Sequence, residues 1–144
     1  MKVFLDTNVL VAACIEDHEY HNQALPLVQS VHDMRNQGFV SAHSLLEMYA
    51  ILTRLPRSHR ILPVQAEILV RENVVNRFTV VALTAREYAA LLKRLGGAQI
   101  VGGQAYDALH LESAKKSGAD RIYTFNVSHF AALAPQLSSR ITAP

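Results

Sequence analysis

A chain of 144 residues, half of them hydrophobic and 18% charged, is long enough to bury one full core and too apolar for a disordered segment. The single cysteine, Cys14, excludes an internal disulfide framework and suits a reducing compartment, while a formal charge of +2 selects no class of partner. No apolar run reaches bilayer length, and the N-terminus lacks the basic region and cleavage site of a signal peptide, so a cytoplasmic location is expected.

In chain order, Lys2–Leu5 predicts a buried strand. The polar triplet Asp6-Thr7-Asn8 interrupts it before a second apolar segment, Val9–Ile15. Cys14 in that segment reads as a small buried hydrophobe, not a reactive thiol. Glu16, Asp17 and Glu19 mark a polar connection. From His18 to Asn36, Leu25, Val28, Val31 and His32 recur at helical spacing, with Gly38 as a stop signal. A short strand, Gly38–Ser41, precedes a helix over Ser44–Leu55 that carries Leu45, Met48, Leu52 and Leu55 before Pro56. Pro63 opens a helix running to about Asn73. Phe78–Ala82 is strand-like, and Thr84 with Glu87 forms a capping box for a helix ending near Leu95. Gly96, Gly97, Gly102 and Gly103 mark a loop. Gln104–Ser117 is a helix closed by Lys115-Lys116 and Gly118. Arg121–Phe125 reads as a strand and Arg140–Thr142 as a last edge strand.

Strands alternating with helices predict an α/β domain whose mainly parallel sheet is covered on both faces. No repeat, low-complexity tract or linker divides the chain, so residues 1–144 form one expected domain. Ligand sites in open α/β sheets gather beyond the carboxyl ends of strands, where Asp6 and Asn126 both fall.

Most acidic residues fall in connections or on outer helix faces. Asp6, Glu47 and Asp107 do not. Asp6 follows a buried strand, Glu47 is the only acid in SLLEMYAIL, and Asp107 sits in the first turn of its helix. Singly, Asp6 has an N-cap reading, Asp107 complements a helix dipole, and Glu47 fits a solvated stripe. Together, oxygen-only donors at strand ends and helix starts suit a hard divalent cation such as Mg²⁺ or Mn²⁺. Such an ion removes the mutual repulsion that would otherwise raise their pKa values.

Other chemistries lack their motifs. In His18-Glu19-Tyr20-His21 the histidines stand too close together for a zincin helix. Gly97 and Gly102 have P-loop spacing, but Gly103-Gln104 replaces the required Lys-Ser/Thr. No G-x-S-x-G elbow occurs. Arg54, Arg57 and Arg60, Lys93-Arg94 and Lys115-Lys116 fit either solvated faces or a polyanionic partner. His110, one turn beyond Asp107, reads as a packing or hydrogen-bonding residue.

The sequence resembles the PIN-domain ribonucleases, and within them the VapC-type toxins of toxin–antitoxin pairs. VFLDTNVLVA is similar to the opening motif, SAHSLLEMYAILTRLP to the second, GGQAYDALHLESAKKSGAD to the third and RIYTFNVSHF to the last. The motifs arrive in family order and span nearly the whole chain. The resemblance implies a PIN-like three-layer α/β/α sandwich around a mainly parallel sheet of four to five strands. It assigns metal binding to Asp6, Glu47 and Asp107, and supporting roles to Thr7, Asn8 and Thr124. At the fourth family position, usually acidic, Asn126 stands here, and His129 occupies the nearby acidic position. Asn126 can orient a water through its amide oxygen but brings no charge, which sets a second metal ion in question.

The implied activity is divalent-metal-dependent cleavage of RNA phosphodiester bonds, with Asp6, Glu47, Asp107 and Asn126 at the catalytic centre. Arg54, Arg57, Lys93 and Arg94 are the expected RNA-holding residues. The resemblance further implies a homodimer and a small antitoxin partner, with the helices over 20–36 and 44–55 as a possible groove and dimer surface. The alternative is a non-catalytic PIN-like module that binds RNA or a protein; a DNA nuclease is disfavoured because no DNA-gripping regions are added.

Overall fold

The computed structural model describes all residues, Met1–Pro144. Its strands are β1 (Lys2–Leu5), β2 (Gln37–Ser41), β3 (Thr79–Val81), β4 (Arg121–Tyr123) and β5 (Ile141–Thr142). Its α-helices are α1 (Thr7–Cys14), α2 (His21–His32), α3 (Ala42–Thr53), α4 (Pro63–Val70), α5 (Ala85–Gly97), α6 (Gln104–Ser117) and α7 (Val127–Leu133). The strands form one five-stranded sheet in the order β3-β2-β1-β4-β5. Every pairing is parallel, with Phe4 opposite Phe39 on one side and Ile122 on the other.

Alternation along the strands creates two cores. Val3 and Leu5 of β1 join Val9, Leu10, Val40, Met48 and Leu52 on one face of the sheet. Phe4 joins Phe39, Leu111, Ile122 and Phe130 on the other. Phe4 is fully buried, which contributes about 1.5–3 kcal/mol relative to an exposed ring. This is the expected α/β/α sandwich. No helix is long and apolar enough to cross a membrane.

Three local outcomes differ from the sequence reading. The second helix ends at His32, and Met34 leaves it in a left-handed conformation with φ of 58°. Gly38 lies beyond that end, in the strand expected to begin there, and a Cβ on it would approach the Phe78 ring to 2.5 Å and Val31 to 2.6 Å. The helix begun at Pro63 gives way to a π-helical turn over Arg71–Val75. Val127–Leu133, unassigned from sequence, is a short helix that buries Phe130 against the second core. Its apolar side chains are too few to display a helical period by themselves.

The expected stops held elsewhere. Thr84 and Glu87 exchange both bonds of a capping box, and Gly118 ends α6 with φ of 68°. Cys14 is only partly buried against the first core, short of the full burial expected, yet this still pushes its thiol up to about 11 and keeps it protonated.

Candidate active site

After β1 the chain moves outward through β2 to β3, then returns to place β4 on the opposite side of β1. The carboxyl ends of β1 and β4 thus flank the topological switch point, where open parallel sheets form a crevice. The backbone N–H of Asp6 donates to the Tyr123 carbonyl at 2.9 Å and pins the two ends together.

Asp6 sits in this crevice, only 4% exposed. It has the extended backbone of an N-cap, and Oδ1 accepts the Thr7 backbone N–H at 2.7 Å. Oδ2 accepts the Thr124 hydroxyl at 2.8 Å. The capping reading and the site reading of Asp6 are therefore compatible: the cap fixes the side chain that faces the cluster. Thr124 Oγ1 also accepts the Asn126 backbone N–H at 3.0 Å and the Asn8 side-chain amide at 3.3 Å. Asn8 Oδ1 accepts the Phe125 N–H at 3.4 Å, and the Thr7 hydroxyl donates to Ser44 at 3.0 Å. Thr7, Asn8 and Thr124 thus tie α1, the β4 end and α3 around one carboxylate.

Glu47 reaches the cluster from α3, half-buried and not on a solvated stripe. His43, one turn earlier, approaches Glu47 Oε2 at 3.1 Å. From α6, His110 Nε2 lies 3.5 Å from Glu47 Oε2 and 3.9 Å from Asp6 Oδ1. His110 is 1% exposed, yet neither ring nitrogen has an aligned hydrogen-bond partner. Its burial agrees with the packing role expected from sequence, and its approach to both carboxylates adds charge pairing to it.

The electrostatics follow from burial and neighbours. Burial raises Asp6, opposed by His110, Thr124 and the Thr7 amide, while Glu47 adds to the rise. Burial likewise raises Asp107 against His110 and His129, and the Glu47 charge again adds to the rise. For Glu47 burial also resists ionisation, but His110, His43 and Thr7 together hold it below the ordinary carboxylate range. Burial alone would discharge His110, yet Glu47, Asp6 and Asp107 push its pKa up. Positive charge is favoured among three carboxylates from three different elements.

That donor set fits a hard cation. No group of three His, Cys, Asp or Glu side chains is drawn tightly enough to cage a metal ion. An open arrangement is nevertheless compatible with Mg²⁺, which keeps several waters and takes one or two carboxylates directly.

The remaining sequence candidates are scattered. Asn126 stands exposed at the start of α7, and its side chain caps nothing. Arg54 shares a recess with Glu47, Ile51 and Leu55 beside the cluster. Arg57 lies in an exposed turn, Arg57–His59. Lys93 is exposed on α5, whereas Arg94 is turned onto Glu112 at 2.7 Å. Two contributors escaped sequence reasoning: His43 and the ring of Tyr106 stacked against it. The four-residue spacing of His43 and Glu47 was the available signal.

The fold is a parallel α/β sandwich with a buried acid at its switch point and two further acids gathered with it around His110. The PIN domain family matches residues 3–134, and the chain belongs to it. The chain is 37% identical over 115 residues to Ribonuclease VapC40 of Mycobacterium tuberculosis, covering 79% of each protein. Its fold is shared with the crystal structure of the same organism's VapC20, a Sarcin-Ricin loop cleaving toxin: TM-score 0.68, 20% identity, covering 90% of this chain and 94% of VapC20. VapBC2 from Rickettsia felis, solved bound to a DNA fragment from its promoter, aligns with TM-score 0.61 at 19% identity, covering 92% of each chain.

Proposed function

We propose that this protein is a divalent-metal-dependent endoribonuclease, the toxin of a VapBC-type toxin–antitoxin module, acting in the cytoplasm as a homodimer. The observation that carries the reading is the convergence of Asp6, Glu47 and Asp107, with Glu47 raising the pKa of both aspartates. The VapC40 likeness supplies ribonuclease activity as the reaction class, and the VapBC2 likeness supports a small antitoxin as partner.

Asp6 and Asp107, with Glu47, are the residues that would hold Mg²⁺, with Mn²⁺ able to substitute. Bound there, the ion would supply charge neutralisation at the scissile phosphate and acidify a water. The protein's own side chains do the rest. Thr124 and the Thr7 amide fix the Asp6 carboxylate in one orientation. His43 and His110 keep Glu47 ionised, so it can accept a proton from the attacking water or orient it. Arg54, which shares a recess with Glu47, would meet a backbone phosphate of the RNA.

A non-catalytic RNA- or protein-binding module remains the second reading, favoured by the exposed neutral Asn126 and the lack of a closed ligand cage. An RNA-cleavage assay in Mg²⁺ or Mn²⁺ separates the two. Asp6→Asn and Asp107→Asn are each expected to lower cleavage at least roughly a hundredfold, with EDTA abolishing it. Full activity in both variants, or cleavage indifferent to EDTA, rejects the mechanism.

A further inference from the structure

Tyr106 immediately precedes Asp107 on α6, and it is 54% exposed despite its large ring. That ring lies on the imidazole of His43, with centroids 4.8 Å apart and planes only 4° from parallel. His43 itself touches Glu47 at 3.1 Å. The stacked pair is therefore coupled to two acids of the cluster: through the chain to Asp107 and by contact to Glu47. Past Tyr106, the surface continues into a shallow apolar recess bounded by Tyr88, Leu92 and Leu95. Arg54 caps the C-terminus of the helix that carries His43 and lines a recess with Glu47.

The geometry points to the His43–Tyr106 pair as a stacking platform for one unpaired base of an RNA strand, beside the phosphate held at the acidic cluster. This rests on the ribonuclease reading above. Every base has a π face, and aromatic stacking recruits single-stranded nucleic acid without reading its edges. The walls around Tyr106 are mostly leucine and alanine, with the Tyr88 hydroxyl as their one polar group, so they offer little for sequence readout. Arg54 complements the negative backbone that must accompany such a base. A base already paired in a duplex cannot present its face there, so the platform selects single strands.

Fluorescence anisotropy of a labelled single-stranded RNA, measured in EDTA, tests binding apart from chemistry. A 2-aminopurine base in the same RNA reports stacking through quenching. Tyr106→Leu is expected to weaken binding about tenfold and remove the quench, since one stacked base contributes on that order. Tyr106→Phe, which keeps the π face, is expected to restore binding to within about twofold of the wild type. If wild-type protein cleaves RNA while Tyr106→Leu binds and quenches as well as wild type, the platform is refuted and the ribonuclease reading stands. If wild-type protein neither binds nor cleaves RNA, both fail. A change in oligomeric size of Tyr106→Leu in size-exclusion chromatography would assign the ring to a protein contact, and overturns the platform as well.

Discussion

Strands β1 and β4 lie side by side and end at the same crevice, but the residues that follow them have opposite fates. Beyond β1, Asp6 is almost fully buried, holds two hydrogen bonds through its carboxylate and feels the charge of Glu47. Beyond β4, Asn126 is exposed, and only its backbone is engaged, its N–H donating to Thr124 and its carbonyl accepting the Phe130 N–H. Leu5 pairs with Tyr123, so Thr124 is the residue that matches Asp6, and Asn126 lies two positions further on. A strand end at the switch point offers a place for a functional group, and the side chain that occupies it decides whether the place is built. Thr124 joins the two sides, because one hydroxyl donates to Asp6 and accepts from Asn126.

The contrast can be broken at several strengths. The widest separation is expected between Asp6→Asn, at least roughly a hundredfold down in RNA cleavage as for a lost metal ligand, and any change at Asn126. Next comes Thr124→Val, nearly isosteric but lacking the hydroxyl that satisfies buried Asp6. It is expected to lower stability in urea by about 1–3 kcal/mol, as for a buried polar group deprived of its partner. Unchanged stability would show that Asp6 finds another donor. Asn126→Asp would sharpen the comparison by restoring charge to the open side: Mn²⁺ binding by calorimetry is expected to tighten severalfold. Unchanged or weaker binding would reject a favourable role for a charge at position 126. The smallest effect is expected from Asn126→Ala, within about 0.5 kcal/mol of wild-type stability because the side chain makes no bond to lose. A cleavage loss comparable to that of Asp6→Asn would mean Asn126 is as essential as the buried acid.

How far the site could be read from the sequence depended on range. Asp6, Glu47 and Asp107 were recognisable because acids in apolar surroundings are conspicuous, and each lies in a motif with a family likeness. His110 is buried as a packing residue should be, but its nitrogens also meet the charges of Asp6 and Glu47 on other elements besides that of Asp107 on its own helix. Arg94 looked like a free cation, but its partner Glu112 belongs to another helix. Tyr106 and His43 are far apart in the chain and revealed nothing of their stack. Similarly, Gly38 resembled a helix stop because local rules favour glycine there; the actual constraint is the Phe78 ring packed across it.

By itself, the sequence determined an α/β chain with strand-like runs, well-marked caps at Thr84 and Gly118, and three acids out of keeping with their apolar neighbours. Those properties depend on side-chain pattern and on hydrogen bonding within a few residues, which local sequence carries. Tertiary structure alone decided that β1 and β4 would be neighbours, that Thr124 would reach Asp6, and that His43 and His110 would keep Glu47 charged. These depend on distances between elements and on shared burial, where desolvation and opposing charges are settled only after the layers pack.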